Sequence, residues 1–143
     1  MSLAKPLAFL AVGLSLSLGS GEVAADVVAV VSAQSTVTTL SREQIVNIFL
    51  GKTSVSPSGE ALVPIDQAEG SPLRDEFYAR YAGKSAAQMK AYWSKIIFTG
   101  RGSPPTAVPD SVAVKKKIVE NPHAIGYIDQ SLVDDSVRVL PSP

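Results

Sequence analysis

In Asp26-Val-Val-Ala-Val-Val31 the aspartate is followed by a continuous run of apolar, mostly β-branched residues, without polar alternation and too short for a helix. β-branched side chains are stiff at χ1 and favour extended backbone, and a strand apolar at every position has to be covered on both faces. This one segment therefore demands a layered structure, a sheet with helices on either side. The rest of the chain supplies the layers. Ser32 to Thr39 reads as polar linker, after which Ser41 and Gln44 form a capping box that starts a helix, with Ile45, Ile48 and Phe49 at core-facing spacing and Gly51 at its end. Residues 52–60 are turn formers, and Ala61 to Ile65 is a second strand running into Asp66-Gln-Ala-Glu-Gly70. Ser71-Pro72 places a cap and a first-turn proline at the start of a helix expected to run from Pro72 to Ala82 and stop at Gly83.

A second capping box, Ser85 with Gln88, opens the next helix, whose Met89, Trp93, Ile96 and Ile97 are expected on one apolar face. Tyr92, Trp93 and Phe98 are expected as core between this helix and the sheet, the alternative being a ligand-stacking role. Gly100 to Pro105 is loop, Asp110 or Ser111 caps a helix through Glu120, and Asn121-Pro122 ends it. Ala124 to Ile128 and Val137 to Leu140 are the third and fourth strands, and Gly126 within a strand signals a close backbone approach, to a neighbouring element or to the floor of a cleft. Strands alternating with helices predict an α/β fold with a largely parallel sheet flanked by helices.

With 13 Lys+Arg against 13 Asp+Glu, the chain lacks the basic field that a nucleic-acid binder presents, and Lys115 to Lys117 are its only basic cluster. The absence of cysteine removes disulfide frameworks, thiolate metal sites and cysteine nucleophiles together. Residues 1–25 have the order of a secretory signal peptide: Lys5, an apolar run from Pro6 to Leu18, then Val23-Ala-Ala25 as a small-residue cleavage site. The run is shorter than the ~20 residues a spanning helix needs. Cleavage after Ala25 leaves residues 26–143 as one exported domain, periplasmic or secreted.

Candidate chemistry is sparse. His123 is the only histidine, no Gly-x-Ser-x-Gly elbow is present, and Asp66, Glu69, Asp75 and Glu76 lack the spacing of a calcium loop. No catalytic residue, metal site or cofactor is expected. The stronger lead is the helix start at Gly70-Ser71, where a strand runs into a helix whose first amides and positive dipole end suit an oxyanion. Ser71 would offer its hydroxyl, Leu73 its amide and Arg74 a guanidinium, although Pro72 removes one amide. The competing reading makes Ser71 only a cap, with Arg74 solvated or paired to Asp75 or Glu76. Arg101, in a glycine-flanked loop, is either part of a surface connector or a second contact to an anion.

Leu40 to Lys52, Val63 to Ser71 and Ala124 to Ile128, in that order and approximate spacing, resemble the phosphate-binding branch of the type 2 periplasmic solute-binding proteins. The resemblance implies the fold of a single lobe of a type 2 periplasmic-binding protein. In that family the second segment carries an Arg-x-Asp-Gly-Ser-Gly-Thr-like anion loop. Its Arg falls here at Gln67 and its acid at Glu69; Gly70 and Ser71 match, and the Gly-Thr pair reads Pro72-Leu73. The resemblance implies a solute-binding module of a phosphate ABC uptake system, with Gln67, Gly70, Ser71 and Leu73 at a small oxyanion such as phosphate; by helix geometry Arg74 would replace the missing positive charge one turn later. Relatives have two lobes and this chain resembles one, so a dry cleft would need a membrane permease, another protein surface or a homodimer to close it. The alternative is an interaction or sensory module that keeps the lobe and has lost transport.

Overall fold

The computed structural model describes residues 26–141, so the expected signal peptide over 1–25 lies outside the described residues. The elements are β1 (Val27–Ser32), α1 (Arg42–Phe49), β2 (Val63–Gln67), α2 (Pro72–Phe77), which continues as a π-helical turn over Tyr78–Ala82, α3 (Ala86–Phe98), β3 (Thr106–Val108), α4 (Ser111–Glu120), β4 (Ala124–Asp129), a 3₁₀ turn over Gln130–Leu132, and β5 (Val137–Val139). The five strands form one sheet in the order β3-β2-β4-β1-β5. β2 is parallel to β3 and β4, while β1 is antiparallel to both β4 and β5. Four strands thus share one direction and β1 alone is reversed, which refines the expected largely parallel sheet.

Both capping boxes form: Ser41 and Gln44 exchange side chain to backbone hydrogen bonds at α1, and Ser85 and Gln88 do so at α3. Every residue of β1 is buried. Val27, Ala29 and Val31 face a core shared with α1, α2 and α3, whereas Val28 and Val30 face a second core under α4. On that second side Gly126 lets α4 approach the sheet. A Cβ there would stand 2.5 Å from Val114 Cγ1, so the close approach is to α4. The stretch after β1 is pinned rather than loose, because the Arg138 guanidinium donates to the carbonyls of Ala33, Ser35 and Val37.

Three expectations need correction. β3 was not anticipated; it is a three-residue edge strand that follows Pro104-Pro105 and precedes Pro109. Phe98 does not join the core but is 91% exposed, since it sits about 140° around α3 from Trp93. Ile97 is likewise exposed, leaving Met89 and Trp93 as the buried residues of that helix. Among the described residues no helix is long and apolar enough to cross a membrane.

Candidate functional site

The parallel strands β2, β3 and β4 bring their C-terminal ends to one side of the molecule, where α2 follows β2 and α4 follows β3. Such strand ends, with helix N-termini beside them, are the usual ligand face of an α/β sheet. Two depressions open there.

The first, about 410 Å³, is lined by Gln67, Ser71, Leu73, Asp110, Ser111 and Asp129 among others. Ser71 caps α2: its hydroxyl accepts from the Arg74 amide at 3.3 Å and donates to Gln67 Oε1 at 2.9 Å. Gln67 is 2% exposed and its side-chain amide donates to Ser111 Oγ (3.1 Å) and to the Tyr127 carbonyl (3.2 Å). Ser111 Oγ also accepts the Asp129 amide at 3.1 Å. The network ties the starts of α2 and α4 to the ends of β2 and β4, and it engages both amide hydrogens of Gln67. The amides of Leu73 in α2, where Pro72 has none, and of Ser111 and Val112 in α4 lack the intrahelical carbonyl four residues back that interior amides use. No lysine or arginine lines this depression. Asp110 caps α4 through the Ala113 amide (2.9 Å), and Asp129 accepts the Ser131 amide (2.9 Å). Gly70 has φ 92°, a left-handed turn that glycine adopts freely, and it lets β2 swing into α2.

Arg74 points elsewhere. Its guanidinium lies 3.6 Å from Asp66 Oδ2 and 5.3 Å from the centre of the Tyr78 ring, and it lines the second depression, about 320 Å³, with Asp66, Glu69, Lys90 and Trp93. The structure therefore groups Gln67, Ser71 and Leu73 on the first depression and puts Arg74 on the second, with Gln67 on the wall between them, lining both. The partner of Arg74 is neither Asp75 nor Glu76 but Asp66, which sequence reading had set among scattered carboxylates. Asp66 is 3% exposed and accepts from the Tyr78 hydroxyl at 2.6 Å, from the Tyr127 hydroxyl, and from the Gln67 amide at 2.8 Å. Burial first, and then the negative charge of Asp66, push the hydroxyls of Tyr78 and Tyr127 far above their ordinary value of 10.0. They remain protonated donors at any physiological pH. A polar residue late in a strand and flanked by tyrosine-bearing elements was the available signal for this cluster.

His123 is exposed; its amide donates to Asn121 Oδ1 and its carbonyl accepts from Val63, so its backbone closes the turn into β4. Among the described residues no group of three His, Asp or Glu is arranged to hold a metal ion.

This architecture, a five-stranded mixed sheet between helices, is that of a periplasmic-binding-protein-like lobe. The chain is similar to a structure from Clostridium perfringens described as a phosphate ABC transporter substrate-binding protein with bound phosphate, at 25% identity and a TM-score of 0.61, over 80% of this chain and 43% of that one. It is also similar to an ABC-type phosphate transport receptor from Vibrio cholerae (20% identity, TM-score 0.62, 80% and 44% covered) and to PstS from Borrelia burgdorferi (14% identity, TM-score 0.59, 80% and 46% covered). The chain spans less than half the length of these structures. No protein-family model and no curated protein matches it.

Proposed function

We propose that residues 26–143 form an exported, non-enzymatic solute-binding module, related to phosphate ABC transporter substrate-binding proteins and acting in the periplasm. A small oxyanion such as phosphate is held at the Gly70-Ser71 helix start. The observation that carries this reading is the convergence of the α2 and α4 starts on one depression at the strand ends. The Leu73 and Val112 amides donate to the anion, while Gln67 and Ser71 frame the site by locking the two helix starts together. Arg74 supplies charge from behind, one turn on and already balanced by Asp66, so it contributes little direct contact. With two carboxylates and no cation on the walls, binding is weak and partly hydrated until a permease, a second protein or a second copy covers it.

A second reading is favoured by that same charge distribution. A lobe whose anion loop carries Gln67 in place of Arg, and whose nearest guanidinium is paired with Asp66, suits an interaction or sensory module that has given up transport. A thermal-shift titration of the protein with phosphate, sulfate and acetate at constant ionic strength separates the two. A saturable rise specific to phosphate, diminished in Ser71→Ala and retained in Arg74→Ala, supports the binding module. No rise with any anion gives the second reading.

A further inference from the structure

A third depression, about 360 Å³, lies away from the strand ends, between the end of α1 and the C-terminal half of α3, and shares no lining residue with the depression at Ser71. Its walls are apolar, from Leu50, Tyr92, Trp93 and Ile96, and the only charged residues lining it are Lys95 and Arg101. Neither cation makes an ion pair with any described residue. The walls are held in place. The Tyr92 hydroxyl donates to the Leu50 carbonyl at 2.6 Å, joining α3 to the end of α1, and Trp93 is 5% exposed. Gly51, at φ 72°, leaves room for the indole; a Cβ there would come within 3.2 Å of it. The Arg101 amide donates to the Ile96 carbonyl at 3.1 Å, folding the loop after α3 back along the depression. The buried indole N–H of Trp93 has no acceptor among the described residues.

We propose that this depression is a second binding site and that it takes a small aromatic carboxylate, its ring against Tyr92, Trp93 and Ile96 and its carboxylate on Arg101 and Lys95. An inorganic anion would leave the apolar walls wet, and a neutral ligand would gain nothing from the two cations at the rim; an amphipathic anion uses both. The volume falls within the range of small-molecule sites and accepts one or two rings. This proposal stands apart from phosphate binding, because the two depressions differ in lining and in charge.

Trp93 is the chain's only tryptophan, so its fluorescence reports on this wall directly. Phenylacetate titrated into the protein with excitation at 295 nm is expected to give a saturable change in emission that phenylacetamide, acetate and phosphate do not reproduce at the same concentrations. Arg101→Gln is expected to weaken the apparent affinity about tenfold, and Lys95→Gln/Arg101→Gln further. Both side chains are exposed, so circular dichroism and the melting temperature of these variants should match the parent. The proposal is overturned by the absence of a saturable change, by an equal response to phenylacetamide or phosphate, or by unaltered affinity in the double variant.

Discussion

Under α1, α2 and α3 the sheet buries aromatic rings around a carboxylate, while under α4 it buries aliphatic side chains and a glycine. On the first face Phe77 stacks on Tyr127 with ring centres 4.0 Å apart, Phe49 meets Phe77 edge-on at 4.9 Å, and the Tyr78 and Tyr127 hydroxyls converge on Asp66. On the second, Val114 and Ile118 press onto Val30, Ile128 and the bare backbone of Gly126. One face depends on every polar partner being present, the other on shape alone. A buried polar cluster therefore fails when a partner is lost, and an aliphatic contact fails when volume is added.

Removing the hub of the polar face should cost most. Asp66→Ala strands two tyrosine hydroxyls and the Arg74 guanidinium, and urea unfolding should show a loss of about 3–5 kcal/mol. Alkali attacks the same face more gently. Because the folded state holds Tyr78 and Tyr127 protonated while the unfolded chain releases those protons near pH 10, their contribution is intact below pH 10 and declines above it. The expected loss is roughly 2–3 kcal/mol by pH 11 for the pair. Tyr78→Phe should flatten that decline in a melting-temperature profile. On the other face Gly126→Ala forces a methyl against Val114 and should cost about 1–3 kcal/mol, with pH dependence unchanged. Smallest is Ser111→Ala, which removes the hydroxyl joining the Gln67 side chain to the Asp129 amide and should cost about 1 kcal/mol in the same unfolding measurement.

Legibility followed the range of the interaction that fixed each feature. The capping boxes at Ser41 and Ser85 were readable because donor and acceptor lie within four residues of each other. The both-sided burial of β1 was readable because a continuous apolar run admits few other fates. Its reversed direction was not, since pairing with β4 and β5 is set across most of the chain. β3 escaped notice because three residues hemmed by prolines carry no periodicity. The helix start at Ser71 and Leu73 was readable from its local signature, and in the structure that helix start lies at the strand ends. The destination of Arg74 was hidden, because Asp66 comes within reach only once α2 folds back over the end of β2. The commitment of Gln67 was hidden for the same reason: its partners Ser111 and Tyr127 arrive from α4 and β4.

The reversed strand β1 also fixes an order of events. Val27 pairs with Asp129 and Val31 with Arg138, so the most apolar strand has nothing to bond to until the last segment of the described chain is present. Until then Val27–Ser32 has two open edges, the situation in which strands stick to other chains. Closing so long a loop makes folding slow compared with a protein of local contacts. A chain cut before Ala124 would display β1 unpaired, and its route would be aggregation or capture by a chaperone rather than a stable half-sheet.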